Sequence, residues 1–334
     1  MDSSYSSEKF SAAPFIKEIG RGKKGARSMS RDDSRQLYAA MLDGRVSDLE
    51  LGAVILALRI KGESVDEIAG FLDAAEASFD PIPSPPGEYA PVVIPSYNGS
   101  RKLANLTPLL AILLARQGVP VLVHGVTRDP GRVTTAEIFQ ELGIPFSQDR
   151  QQPADQFASR LPAFMPIESL APRLARLLEL RRVLGVRNST HTLVKIMQPF
   201  AGPALRLVSY THPEYLAMLT SYFTTAAPAE RGDAFLMRGT EGEVVANSRR
   251  AQQIEWFHGG VRTVVVEKQE PVDELPSSPQ DRDASGTAQW ICSVLNGKEP
   301  IPEAIAEQVR HCLDVSRRLR ANTLVRHAND NHRS

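Results

Sequence analysis

Two strand–turn junctions carry the side chains best suited to chemistry. In "IPSYNGSRKLANLTPLL", residues 94–110, an apolar run enters a polar turn and then an amphipathic helix. That layout commonly cradles a phosphate on backbone amides. Here the turn offers Tyr97, Asn98, one glycine (Gly99) and the cationic pair Arg101 and Lys102, with Asn105 and Thr107 following. In "LVHGVTRDPGRVTTAEIFQELGI", residues 122–144, His124 and Gly125 close a strand, the place where α/β proteins put ligand groups. Arg128 and Arg132 lie in the turn, and Thr134 or Thr135 caps a helix whose N-terminus favours anions. A satisfied structural histidine and a pairing of Arg128 with Asp129 are the plainer accounts of the same residues.

Cations gather in three further places. "FIKEIGRGKKGARSMS" combines Lys17, Arg21, Lys23, Lys24 and Arg27 with three glycines. "LLELRRVLGVRNSTHTL" holds Arg181, Arg182 and Arg187, and a C-terminal helix aligns Arg310, Arg317 and Arg320. Each suits either contact with a phosphate chain or a plain solvated face. Catalytic patterns are scarce: G-x-S-x-G, H-E-x-x-H, the P-loop and G-x-G-x-x-G are all absent. Glu241 and Glu243 in "RGTEGEVVAN" are too few to specify a metal site, so neither metal nor cofactor is expected.

The elements that must position these residues fall into two regions. Ser30 caps a first helix, and Ser47 with Glu50 and Ser64 with Glu67 form capping boxes for two more. "DPIPSPPGEYAP", residues 80–91, is a stiff connector. Beyond it, the runs VVI (92–94), VPVLV (119–123), LRLVSY (205–210), AFLM (234–237) and RTVVVE (262–267) alternate with helices, as in a parallel sheet covered on both faces. The expected fold is therefore α/β: a small N-terminal all-α domain (1–80, dimerisation), a proline-rich linker (81–91), and a larger α/β domain (92–334) with a mostly parallel central sheet. Helices near 165–200 are expected to pack on the helical domain.

Composition narrows the function class. The formal net charge is zero, yet residues 15–35, 160–187 and 310–334 each carry +4, while residues 263–283 carry −4. Basic surface is thus local. Two cysteines supply neither a disulfide framework nor metal spacing, and no apolar run spans a bilayer, so a cytoplasmic protein without membrane contact is expected.

"IKEIGRGK", "DLELGAVILALRIKGE", "VIPSYNGSRKLANLTPLLAILL", "RVLGVRNSTHTL", "THPEYLAML", "RGTEGEV" and "TAQWI", in this order, resemble the anthranilate phosphoribosyltransferase-like group of the glycosyltransferase 3 and nucleoside phosphorylase superfamily. The resemblance spans nearly the whole chain and is closest to the DNA-binding YbiB-type branch. It implies the type II nucleoside phosphorylase-like fold and a homodimer. The transferases' GTGGDG loop aligns with Pro95 to Ser100, where none of its glycines is in place. Of F-N-x-S-T, Asn105 and Thr107 persist in kind, with Pro108 at the end. Of HGNR-x-x-SS, His124 and Gly125 remain, while Val126, Thr127, Pro130 and Gly131 replace the rest. Val244 and Val245 stand at the two magnesium carboxylates of D-G-x-D-E. Arg181 matches the arginine that contacts the aromatic acceptor.

The resemblance and these departures point to a homodimer that binds DNA, and RNA by the same means, through backbone phosphates with little base readout. Its contacts would be Lys17, Arg21, Lys23, Lys24, Arg27, Arg101, Lys102, Arg128, Arg132, Arg181 and Arg182. Tyr97, Asn98, Gly99, Asn105, Thr107, His124, Gly125 and Arg181 would line the former substrate pocket. The alternatives are a divergent phosphoribosyltransferase acting on another substrate and an adaptor that docks an acidic partner.

Overall fold

The computed structural model describes residues 8–331 apart from residues 23, 274 and 276. In chain order the elements are α1 (Ala13–Ile19), α2 (Arg31–Leu42), α3 (Asp48–Lys61), α4 (Val65–Glu76), β1 (Val92–Ser96), α5 (Thr107–Arg116), β2 (Val121–Gly125), α6 (Thr135–Glu141) and α7 (Gln152–Ala158). Then come β3 (Ala163–Pro166), α8 (Ile167–Leu170), α9 (Pro172–Leu184), α10 (Thr190–Leu193), β4 (Leu205–Tyr210), α11 (Pro213–Thr225), β5 (Ala234–Arg238), β6 (Ile254–His258), β7 (Val261–Val266), α12 (Ala284–Leu295) and α13 (Glu303–Asn331). The chain divides into two compact units. One takes residues up to Asp80 with Ala171–Met197 and Ala217–Ala227; the other takes Pro81–Leu170, Gln198–Leu216 and Pro228 onward.

The helical unit is started by its caps. Ser30 accepts from the Asp33 amide, and Ser47 and Ser64 complete capping boxes with Glu50 and Glu67. Each such cap is worth about 1 kcal/mol. Leu37, Tyr38, Met41, Ile68 and Phe71 are buried, and the Tyr38 hydroxyl meets Thr190 Oγ1 of α10 at 2.7 Å. Glu67 is buried beside Lys61 at 2.6 Å and also accepts from the Met29 amide, so its charge is fully engaged.

The α/β unit is a seven-stranded sheet of order β3-β2-β1-β4-β5-β6-β7. β3 to β5 run parallel, and β6 and β7 are antiparallel. β1 and β2 are buried along their whole length, as a strand covered on both faces requires. α5 is buried nearly all round through Leu109, Leu110, Ala111 and Leu114. β7 differs from the covered strand expected of RTVVVE: it is an edge strand with Val261 and Val264 exposed. β-branched composition marks a strand but not its place in the sheet. The chain turns from one half of the sheet to the other between β1 and β4, and the carboxyl ends beside such a switch point are where α/β folds bind ligands.

Candidate functional site

β1, β2 and β5 are parallel, so the loops that follow them gather at one edge of the sheet. The loop after β1 carries Tyr97 to Asn105. Gly99 has φ +62°, and a Cβ there would lie 2.7 Å from the Val133 carbonyl oxygen. That close approach is fixed by a two-way bridge, Ser100 to Val133 at 2.9 Å and Val133 to Ser100 at 2.8 Å. Gly125 ends β2 against the Ser96 carbonyl, with no room for any Cβ. Asn105 Nδ2 donates to Thr135 Oγ1 at 3.0 Å, which also accepts from Ser96 Oγ at 2.8 Å, and Asn105 Oδ1 accepts from the Thr107 amide at 3.1 Å. Thr134 caps α6 in a capping box with Glu137, so that helix end is closed by its own side chains.

His124 is fully buried, and its Nδ1 shares a hydrogen bond of 2.8 Å with the Tyr97 hydroxyl. Burial pulls its pKa down to about 3, so the ring is neutral at pH 7. Burial, and secondarily the charge of Glu168, raises the Tyr97 hydroxyl well above its ordinary value. A neutral imidazole and a protonated phenol contribute no charge to an anion.

The turn after β5 supplies the anions. Asn98 and Gly99 amides donate to Glu243 Oε1 at 3.0 and 2.8 Å. The amides of Arg101, Lys102 and Leu103 donate to the Glu241 carboxylate at 2.8, 2.9 and 3.1 Å. Five successive or near-successive N–H groups, the set that would wrap a phosphate, therefore hold two carboxylates of the same chain. Burial alone would raise the Glu241 pKa, but the amides of Leu103, Arg101 and Lys102 and the charge of Arg132 bring it below its ordinary value. Glu241 sits at φ +52°, a left-handed conformation that costs a non-glycine residue on the order of 1 kcal/mol and is held here by those three amides. Glu243 is fully buried, and its Oε2 has no partner among the described residues.

This turn does not fit a magnesium ion. Val244 and Val245 are buried and have no oxygen to offer, and Glu241 and the Oε1 atom of Glu243 already accept from backbone amides. Among the described residues no group of three or more His, Cys, Asp or Glu is placed to hold a metal.

The expected contact residues are distributed over both units. Arg101, Lys102 and Arg128 are exposed on the α/β unit, and Arg132 donates to the Gly99 carbonyl at 3.2 Å. Lys17, Arg21, Lys24 and Arg27 are exposed in α1 and the loop after it, while Arg181 and Arg182 are exposed on α9 of the helical unit. Arg21 is tied to Glu18 at 2.6 Å and Arg182 to Glu179 at 3.1 Å. Lys23 lies outside the described residues. The stripe of α13 is engaged in structure: Arg317 meets Glu88 at 2.7 Å and the Tyr89 hydroxyl at 2.6 Å, and Arg320 donates to the Gly87 carbonyl. In the sequence Glu241 and Glu243 are generic acidic residues. Their only local signal is a pair of carboxylates around a glycine with no third ligand beside them.

Residues 13–78 match the family described as glycosyl transferase family, helical bundle domain. The chain is 49% identical over 301 residues to the uncharacterized protein YbiB of Escherichia coli (strain K12), covering 90% of this chain and 92% of that protein. It is 26% identical to the anthranilate phosphoribosyltransferase of Pectobacterium atrosepticum, covering 82% and 76%. Among solved structures, anthranilate phosphoribosyltransferase from Thermus thermophilus superposes with a TM-score of 0.68 at 19% identity, covering 91% of this chain and 88% of that one. The enzyme from Saccharomyces cerevisiae in complex with PRPP and Mg gives 0.66 at 14% identity, covering 90% and 88%.

Proposed function

The chain belongs to the family of Escherichia coli YbiB, on an anthranilate phosphoribosyltransferase-like scaffold, and from the way its loops are filled we propose that it holds nucleic-acid backbones and transfers no phosphoribosyl group. The observation that carries this reading is the capture of the amides of Asn98, Gly99, Arg101, Lys102 and Leu103 by Glu241 and Glu243. A pyrophosphate seeking the same donors meets two fixed acidic side chains already bonded to them. The valines at 244 and 245 leave no ligand for the magnesium that such a substrate brings. Still free to meet phosphate are the side chains of Arg101, Lys102 and Arg128, exposed cations on flexible stems. Such groups suit a repeated, extended polyanion, DNA or RNA alike, because they read phosphate and not bases.

A homodimer is part of this proposal, since two copies multiply every basic patch by symmetry. α3 supports it with an outward apolar stripe of Leu49, Leu56 and Ile60 opposite its buried face of Val54, Ile55 and Leu58. The expected setting is the cytoplasm; among the described residues no helix is long and apolar enough to cross a membrane. Fluorescence anisotropy with random-sequence DNA at low salt should show binding that the joint charge reversal R101E/K102E weakens at least tenfold. Calorimetry with phosphoribosyl pyrophosphate and magnesium should show no heat of binding. Tight, magnesium-dependent binding of that compound would replace this reading with a divergent transferase.

A further inference from the structure

Beside the clamped loop, and sharing Lys102 and Leu103 with it, the α/β unit has a cavity of about 200 Å³. Its walls are the loop 102–106, the segment 245–249 that follows the glutamate turn, and the strap before α12. Hydrogen bonds hold these walls in place. Arg282 donates to the Lys102 carbonyl at 2.9 Å, the Val272 amide to the Arg249 carbonyl at 2.8 Å, and Trp290 Nε1 to Ser277 Oγ at 2.8 Å. The floor is aliphatic, with Leu106 and Val245 among its residues, and the rim carries Lys102, Arg249 and Arg282. Among the described residues no acidic side chain lines it, in a chain whose net charge is zero. Asn247, Ser248 and Gln280 add amide and hydroxyl groups.

We propose that this cavity takes one unpaired nucleotide, its base on the aliphatic floor and its phosphate on Lys102, Arg249 and Arg282. Drug-sized ligands occupy roughly 300–1,000 Å³, so this cavity fits a single ring system and not a stacked pair of nucleotides. The exposed amide of Gln280 suits a base edge, while Asn247 Oδ1 accepts from the Arg249 and Arg250 amides and leaves its Nδ2 to donate; guanidinium groups serve both phosphates and base faces. A duplex keeps its bases stacked inside and reaches only the cationic rim, so the cavity gives single strands an added contact. The inference rests on the nucleic-acid reading above, which Arg101 and Lys102 carry for either kind of strand.

The test uses the full chain and two variants, Ser248→Trp, which fills the cavity without changing charge, and Gln280→Ala, which removes an exposed amide. Anisotropy titrations with a short single strand and with a blunt duplex of the same sequence separate the two claims. Both variants should unfold at the parent's temperature. Ser248→Trp should weaken the single strand about tenfold and Gln280→Ala about threefold, both leaving the duplex unchanged. Adenosine monophosphate should bind the parent in ligand-observed NMR, be displaced by the single strand, and fail to bind Ser248→Trp. Equal loss on both strands, or no loss on either with Gln280→Ala agreeing, overturns the cavity and leaves the backbone reading standing. Failure of the parent to bind either strand overturns the backbone reading, and the cavity inference with it.

Discussion

At the residue scale, the shape of the loop after β1 rests on two acidic side chains. Glu243→Ala removes the acceptor of the Asn98 and Gly99 amides, and each buried donor left bare costs about 1–3 kcal/mol. The variant should melt several degrees lower, while Glu243→Gln, which keeps a carbonyl oxygen, should lose less. A melting temperature for Glu243→Ala equal to the parent's would deny the carboxylate this role. His124 makes a second prediction. Burial pulls its pKa to about 3, and burial with the charge of Arg187 pulls that of His191 to about 4, both from 6.5. Unfolded histidines take up protons that the folded chain refuses. The stability they contribute is therefore complete above pH 6.5 and is lost as pH falls from 6.5 toward 3 for His124 and toward 4 for His191, by up to about 1.4 kcal/mol per pH unit for each histidine. Urea midpoints at about pH 7.5 and about pH 5 should show this fall, and a His124→Gln variant should show a shallower one.

At the scale of elements, α3 carries the sharpest prediction. A helix with apolar residues on both faces has one face too many for a unit that ends at its surface, and Leu49 is 87% and Ile60 67% exposed. Light scattering on a sizing column should give a dimer for the parent and a monomer for the double variant L56E/I60E. A dimer mass in the variant would place self-association elsewhere. Elements were the most legible part of the sequence because their signals are local. Ser47 with Glu50 and Ser64 with Glu67 announced two helix starts that the bonds reproduce, and the runs at 92–94, 205–210 and 234–237 became β1, β4 and β5. β3 was hidden in four residues that end in proline, and β6 in IEWFH, whose Glu255 is a charged residue yet buried and breaks the apolar run. The pairing of Glu241 and Glu243 with amides some 140 positions earlier leaves no trace in either stretch alone. Periodicity and spacing report neighbours in the chain, and this contact exists only once the sheet has brought β1 and β5 to the same edge.

At the scale of the whole molecule, a zero formal charge conceals separate basic regions, and only ionic strength distinguishes them from ordinary surface. Log affinity for DNA should fall linearly with log salt, with a slope of about −0.9 for each phosphate neutralised on a duplex and about −0.7 on a single strand. The R101E/K102E variant should have a slope shallower by about one to two. An affinity indifferent to salt would mean that phosphates are not what the protein holds. The clamp of Glu241 and Glu243 has a further consequence for such experiments and for the cell. These carboxylates are tethered to the same chain, so the loop experiences them at an effective concentration of about a millimolar or more. A free phosphate compound entering that loop competes against an occupant that never diffuses away, so it must outbind a partner that is always present.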